Sequence, residues 1–208
     1  MRSLVLAVLV ALVAPCARAA DLQIVVHDAK GQPVRDAVVT YYPQAGTGSE
    51  PIRFDWPYRM AQQNLKFDPF VLVAPQGATV AFPNRDTVRH QVYSFSPAHP
   101  FELKLYGRDE TRTVKFDRVG VIALGCNIHD SMVGFIKVVD TPFAAKTDAQ
   151  GQVELRGAPA GAGVLKVWHP YLKARGNELS EAVTVPAAGL RRSETADIRP
   201  PPVRHDTY

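Results

Sequence analysis

Residues 126–132 carry a cysteine, a histidine and a methionine, Cys126, His129 and Met132, in a C-x2-H-x2-M run. This spacing places a thiolate, an imidazole and a thioether in one short loop. Two imidazoles and a thiolate in a trigonal arrangement, with a weak axial thioether, form the ligand set of blue-copper electron transfer, and soft sulfur favours Cu(I). The loop therefore carries ligands that favour copper, but it supplies only one of the two imidazoles of this ligand set.

A histidine that could supply the missing imidazole lies upstream. His90 stands 36 residues before Cys126 at the start of a β-rich run, and Val80, Phe82 and Asn84 precede it in a V-x-F-x-N pattern. With the downstream G-C-x2-H-x2-M run and a closing strand, this text resembles a cupredoxin, and the loop spacing is similar to that of amicyanin. Residues 21–175 also resemble the bacterial plastocyanin-like proteins often labelled methylamine utilization proteins.

The resemblance implies a ligand set and a fold. It implies His90, Cys126, His129 and Met132 as the ligands of one type 1 copper, with Met132 at the long axial position. It also implies a Greek-key β-sandwich that holds the histidine-bearing strand against the ligand loop. We expect these four side chains to converge on one point.

Two positions depart from the family pattern. Gln91 follows the first histidine, where cupredoxins commonly have asparagine, which braces the ligand loop. Asp130 follows the second histidine, where amicyanin has proline. We therefore expect differences in the bracing of the loop, in the reduction potential and in the choice of partner.

The N-terminal residues predict export. Arg2, an apolar run over residues 4–14 and the small residues Ala17 and Ala19 are typical of a secretory signal peptide cleaved after residue 19. The apolar run is too short to span a bilayer comfortably, and no later stretch approaches the ~20 apolar residues of a spanning helix. We expect a periplasmic chain with no integral membrane segment. A lipoprotein anchored at Cys16 is a weaker alternative, because Pro15 precedes that cysteine.

Signal cleavage would leave Cys126 as the single cysteine, in a compartment that favours disulfides. A lone thiol there pairs between molecules, reacts or binds metal, and the nearby His129 and Met132 favour metal. A structural zinc site normally has four Cys or His ligands, and a covalent haem needs C-x-x-C-H, which the sequence lacks. A Cys-His nucleophile would need an orienting third group. We expect a protein that is not an enzyme.

The net charge of the chain says little about its function. The formal charge of +4 falls to +2 without Arg2 and Arg18, and charged residues make up 21% of the chain. The absence of a Lys or Arg block argues against nucleic acid as a partner. Residues 190–192 (L-R-R) are interpreted as a solvated turn.

Short alternating or β-branched runs, bounded by Gly, Pro, Asn and Asp, predict an all-β fold. The seventeen prolines suit turns and sheet edges better than long helices. The predicted strands cover residues 23–27, 37–42, 70–74, 78–82, 91–95, 111–116, 120–124, 134–139, 152–155, 163–168 and 181–185.

The sequence suggests two sandwiches. Residues 20–50 and 141–199 resemble the two halves of a carboxypeptidase-regulatory-like, transthyretin-type β-sandwich, and the copper domain at residues 51–140 lies between them. This arrangement requires residues 22–42 to share sheets with residues 152–168. The alternative is an extra hairpin at residues 22–43 added to the cupredoxin. Residues 200–208 are expected to form a tail.

The resulting hypothesis is a single-electron carrier with protein redox partners as donor and acceptor. His129 is expected to convey the electron, with an apolar docking rim from Val133, Phe135 or Pro97. The alternative is a periplasmic copper carrier or assembly module without an electron-transfer role. Such carriers usually expose clusters of Met or His, whereas the mature chain has only Met60 and Met132, which favours electron transfer.

Overall fold

The computed structural model describes residues 19–202, so the predicted signal peptide and Cys16 lie outside the described residues, except for Ala19. Apart from one short 3-10 turn at Arg175–Asn177, the regular structure of this range is β, and the all-β prediction is confirmed. No helix in this range is long and apolar enough to cross a membrane. In chain order the strands are β1 (Ala19–His27), β2 (Val38–Pro43), β3 (Ala61–Gln63), β4 (Lys66–Asp68), β5 (Val71–Pro75), β6 (Ala78–Pro83), β7 (His90–Ser94), β8 (Phe101–Tyr106), β9 (Thr111–Phe116), β10 (Gly120–Gly125), β11 (Val133–Val139), β12 (Ala144–Lys146), β13 (Gln152–Pro159), β14 (Gly161–Trp168), β15 (Glu178–Val185) and β16 (Leu190–Thr195).

Strands from both ends of the chain form one β-sandwich, here called the flanking sandwich. Its two sheets have the orders β13-β1-β16 and β12-β2-β14-β15. Alternate residues of β1, including Leu22, Ile24 and Val26, are buried and pack with Tyr41 and Leu165 in one core. Successive side chains of a strand point to opposite faces of the sheet, so a strand with one face in the core buries every second residue.

The sheet sharing predicted between residues 22–42 and 152–168 is observed. Strand β1 pairs antiparallel with β13, and β2 pairs antiparallel with β14. The alternative, an extra hairpin at residues 22–43 added to the cupredoxin, is not observed, because β1 and β2 lie in different sheets. The division of the chain into domains at residues 50/51 and 140/141 remains a proposal.

The interpretation of residues 190–192 as a turn is wrong. These residues begin β16, which pairs in parallel with β1 from Leu22 opposite Leu190 to His27 opposite Thr195. The sequence L-R-R-S-E-T is polar because β16 is the outer strand of its sheet. Arg191 is exposed and Arg192 is half-buried, whereas Glu194 is buried. A polar edge strand of this kind gives little hydrophobic signal.

Strands β3–β11 form the second sandwich, here called the central sandwich. Its main sheet has the order β5-β11-β10-β7-β8, and β6 pairs with β9 and β3 with β4. Val80, Phe82, Val92, Ile122 and Ile136 are fully buried members of its core. This core also contains Cys126 and Met132, so the candidate loop is anchored in the central sandwich.

A third apolar cluster joins the two sandwiches. Val71, Val73 and Val139 from the central sandwich pack with Val38, Ala144 and Trp168 from the flanking one. Beside this cluster, Lys137 forms an ion pair with Glu178 at 2.7 Å, and the Lys137 ammonium also lies over the Trp168 ring. The two sandwiches therefore share a buried boundary.

Candidate metal centre

The C-x2-H-x2-M loop closes a hairpin. Strand β10 ends at Gly125 and β11 begins at Val133, and these two residues are paired, so residues 126–132 connect them. Gly125 is also paired with Tyr93 of β7, where a Cβ at Gly125 would lie 2.7 Å from the Tyr93 ring. The missing side chain allows β7 to pack closely beside the loop, and β7 begins at His90.

His90, Cys126 and His129 converge. The Cys126 Sγ atom lies 3.8 Å from Nδ1 of His90 and 3.7 Å from Nδ1 of His129. One ligand atom of each residue lies within 4.8 Å of the others, and all three side chains are buried. Two nitrogens and one sulfur thus face a common point inside the protein.

The separations fit a metal bound between these atoms. Bonds of about 2.3 Å to sulfur and about 2.0–2.1 Å to nitrogen, meeting at about 120°, place the sulfur and nitrogen about 3.8 Å apart. Both Sγ–Nδ1 distances, 3.8 and 3.7 Å, agree with this value. The three donors could therefore hold one metal ion without a large movement.

Met132 lies at the end of the same loop. Its side chain is 1% exposed and belongs to the core that contains Cys126. Its backbone N–H donates to the His129 carbonyl at 3.0 Å, which closes the turn between them. This placement is compatible with a thioether ligand, and the ligand roles of all four residues remain predictions.

The surroundings of Cys126 favour its thiolate. Burial raises the pKa of the thiol, but hydrogen bonds from His90, from the backbone N–H groups of Ile128 and Gln91, and from His129 outweigh burial and lower the pKa to about 6. The thiolate is the form that binds metal. At neutral pH the loop therefore presents the ligand form of its sulfur.

Asp86 is a site residue that the sequence analysis missed. Its Oδ2 atom lies 2.8 Å from Nε2 of His90, whose Nδ1 faces the sulfur. Asp86 accepts the Nε2 proton of His90. Loss of the Nδ1 proton, which donates to the Cys126 sulfur in the absence of metal, then leaves the Nδ1 lone pair free to bind metal. The available signal was a carboxylate four residues before a candidate histidine, which is too common a pattern to single out.

Asn84 braces the segment that leads to His90. Its fully buried side chain donates to the carbonyls of Val88 and Tyr106 at 2.8 and 3.1 Å and accepts from the Asp86 N–H at 2.9 Å. The asparagine of the V-x-F-x-N pattern thus fixes the turn between β6 and β7. This turn places Asp86 against His90.

Gln91 contributes through its backbone. Its side-chain amide donates to Glu102 on β8 at 2.5 Å, while its N–H is one of the groups that lower the pKa of Cys126. The side-chain bracing expected from the family's asparagine is therefore replaced by a cross-strand contact. The carboxylate of Asp86 instead holds His90 through its second ring nitrogen, Nε2.

The predicted docking rim is only partly at the surface. Phe135 is half-buried and packs edge to face against Phe70 and Trp168 at the boundary between the sandwiches. Val133 is half-buried and Pro97 is exposed, and the docking rim stays a prediction. Ile128, between Cys126 and His129, is 47% exposed, and Phe95 at the end of β7 is 84% exposed. Ile128 therefore provides exposed apolar surface within the loop itself.

Comparisons with known proteins found cupredoxins among solved structures. The copper-containing nitrite reductase of Thermus scotoductus SA-01 is 26% identical over 44% of this chain and 25% of its own, with a TM-score of 0.39. A purple cupredoxin from Nitrosopumilus maritimus is 22% identical over 39% of this chain and 98% of its own (TM-score 0.36). A reduced tryptophan-to-tyrosine mutant of amicyanin is 17% identical over 50% of this chain and 99% of its own (TM-score 0.38).

The chain thus spans a quarter of the nitrite reductase. No protein-family model matches the chain, and no curated protein matches it. All three TM-scores are below 0.5.

Proposed function

We propose that this protein is a periplasmic carrier of single electrons that holds one type 1 copper between His90, Cys126, His129 and Met132. The observation that carries the proposal is the convergence of a thiolate and two imidazole nitrogens at 3.7–3.8 Å in a buried pocket. Copper bound there would supply one-electron exchange between Cu(II) and Cu(I). The donor set fits this ion because thiolate and thioether are soft ligands and imidazole suits both oxidation states.

The chain's own residues would keep the site the same in both states. His90 is held by β7 and Asp86, while Cys126 and Met132 are fixed in the central core. A carrier exchanges electrons quickly when its ligands move little, because little reorganisation is then needed. His129, at 7% exposure, is the more exposed imidazole and offers the shorter path to a partner that docks over Ile128.

Burial of the ligands is the reason for preferring electron transfer to copper delivery. His90, Cys126 and Met132 are 0–2% exposed. A carrier that hands metal to a partner needs ligands that the partner can reach. The copper-delivery alternative therefore requires the loop to open, and we propose that it stays closed.

The test is to add Cu(II) to the mature chain and record the visible and EPR spectra. A type 1 site gives an intense thiolate-to-copper band, whereas zinc at the same ligands gives no colour. The loaded protein should then cycle between oxidised and reduced forms and retain copper against a chelator. A colourless product would contradict the proposal, and rapid loss of copper to the chelator would favour delivery.

Met132 gives a second test. Met132→Leu conserves volume, so the core should tolerate it. We expect the blue colour to remain and the potential to rise, because losing a weak donor destabilises Cu(II) more than Cu(I). Each tenfold change in relative affinity corresponds to about 59 mV.

Voltammetry of the loaded protein measures this shift. Met60→Leu is the matched control, because Met60 is equally buried in the same core and lies outside the ligand loop. Equal potentials for the two variants would remove Met132 from the ligand set.

A further inference from the structure

We propose that Asp86 is a positioning residue that holds His90 in its ligand orientation and favours the oxidised state of the site. This inference rests on the proposed function. Among the described residues, Asp86 combines a direct contact to a ligand imidazole with a fixed carboxylate. Asp86 would therefore help to set the reduction potential of the bound copper.

The first step is the contact itself. Asp86 Oδ2 accepts from His90 Nε2 at 2.8 Å, and the His90 ring is fully buried. The ring is thus held at one nitrogen by a carboxylate and faces Cys126 with the other. Such carboxylate–histidine–metal arrangements fix the tautomer and increase the donor strength of the imidazole.

The second step is the clamp on the carboxylate. The backbone N–H groups of Asn64 and Leu65 donate to Oδ1 and Oδ2 of Asp86 at 2.6 and 3.1 Å. These two residues form the tip of the β3–β4 hairpin, since Gln63 pairs with Lys66. Both oxygens are therefore engaged, and the carboxylate cannot rotate away from His90 without breaking a bond to the hairpin.

The third step is the conformation of that tip. Asn64 and Leu65 have φ angles of +56° and +55°, and a two-residue turn of this kind usually has glycine at its second position. Leucine is unfavourable in this left-handed region. The Leu65 side chain is 38% exposed, so its burial contributes little stability to offset this backbone cost. The conformation directs two adjacent N–H groups at Asp86, which is the kind of role for which strained backbone is retained.

The sign of the effect follows from charge. A fixed anion hydrogen-bonded to a ligand stabilises the ion with the higher positive charge. Cu(II) gains more from Asp86 than Cu(I) does, so the carboxylate lowers the reduction potential. The hairpin holds the carboxylate at this distance from His90, because the N–H groups of Asn64 and Leu65 donate to it.

The experiment compares Asp86→Asn with wild type as full mature chains loaded with copper. The amide has the same shape and removes the charge. We expect the variant to stay blue, to bind Cu(II) about 10–100-fold more weakly and to lose less affinity for Cu(I). A tenfold difference between the two losses appears in voltammetry as a rise of about 59 mV.

The matched control is Asp117→Asn, which removes an exposed carboxylate, 58% accessible, at the far end of β9. A potential for Asp86→Asn equal to that of this control would overturn the inference. Asp86→Glu restores the charge and should return the potential toward the wild-type value. An Asp86→Glu potential equal to that of Asp86→Asn would also count against the carboxylate.

Wild-type protein provides a test if the variant fails to fold. In the Cu(I) form, NMR should detect a slowly exchanging proton on Nε2 of His90, held by Asp86, and its absence would contradict the proposed contact. A wild-type chain that never turns blue refutes the proposed function. A blue wild type with an unshifted Asp86→Asn refutes only this inference.

Discussion

Replacing Cys126 by serine should abolish the intense visible absorption of the copper-loaded protein. The band requires a thiolate as the charge-transfer donor, and the serine hydroxyl stays protonated at neutral pH. The pKa of the Cys126 thiol is lowered to about 6 by His90, by two backbone N–H groups and by His129, despite burial, so the native thiolate is available. No other cysteine is available among residues 19–202.

Copper affinity should fall in the same variant by more than the roughly 10–100-fold typical of changes to groups that support a ligand. Titration with Cu(II), followed by absorption and calorimetry, measures both effects. Asn127→Ser is the control, because it alters an exposed residue of the same loop. A Cys126→Ser protein that remains blue would show that the ligand set is misassigned.

Replacing Trp168 by alanine should destabilise the protein by about 3–5 kcal/mol, the usual cost of removing a large buried aromatic side chain. Trp168 is 2% exposed, packs against Phe135 with the ring centroids 6.1 Å apart, and lies under the Lys137 ammonium. It therefore lies at the centre of the boundary between the sandwiches. The loss is a large part of the total stability of an ordinary domain.

Urea unfolding followed by circular dichroism and by the copper band checks this expectation. The urea midpoint should fall whether it is followed by circular dichroism or by the copper band. The blue colour should persist in the native state, because Cys126 and Met132 pack in the core of the central sandwich and not in the cluster that contains Trp168. Phe95→Ala serves as the control, since Phe95 is a large aromatic residue that is 84% exposed. Similar midpoints for the two variants would mean that the boundary contributes little to folding.

The sequence was most informative where the relevant residues are close together. Cys126, His129 and Met132 lie in one hairpin loop, so their proximity follows from spacing alone. Placing His90 beside them required a resemblance to a known fold, because the pairing of β7 with β10 is a long-range contact. The structure brings His90, Cys126 and His129 together, while their binding of copper remains a prediction.

Strands with β-branched residues were also predictable. Strand β9 has the predicted bounds of Thr111–Phe116, and most other predicted strands differ by one to three residues at an end. Strands β3, β4 and β12 were not predicted, because they have three residues each and too few alternating positions to show a period. Strands β8 and β16 were not predicted either, because their exposed charged residues hide the alternation of apolar and polar positions.

The contribution of Asp86 could not be predicted from local patterns. It depends on the β3–β4 hairpin, whose tip residues Asn64 and Leu65 lack the Asn-Gly signal of a tight turn. It also depends on Asn84 holding the turn before β7. Groups that support a ligand are chosen by tertiary packing, and their sequence signal is correspondingly weak.

Strand β5 belongs to two cores at once, and this limits how the protein can be divided. Leu72 and Ala74 face the core of the central sandwich, whereas Val71 and Val73 pack against the flanking sandwich. A polypeptide that contains only the central sandwich would expose a row of valines along the edge strand β5. Exposed apolar residues on an edge strand promote aggregation. An engineer who wants a stand-alone module from this chain must first replace these valines with polar residues.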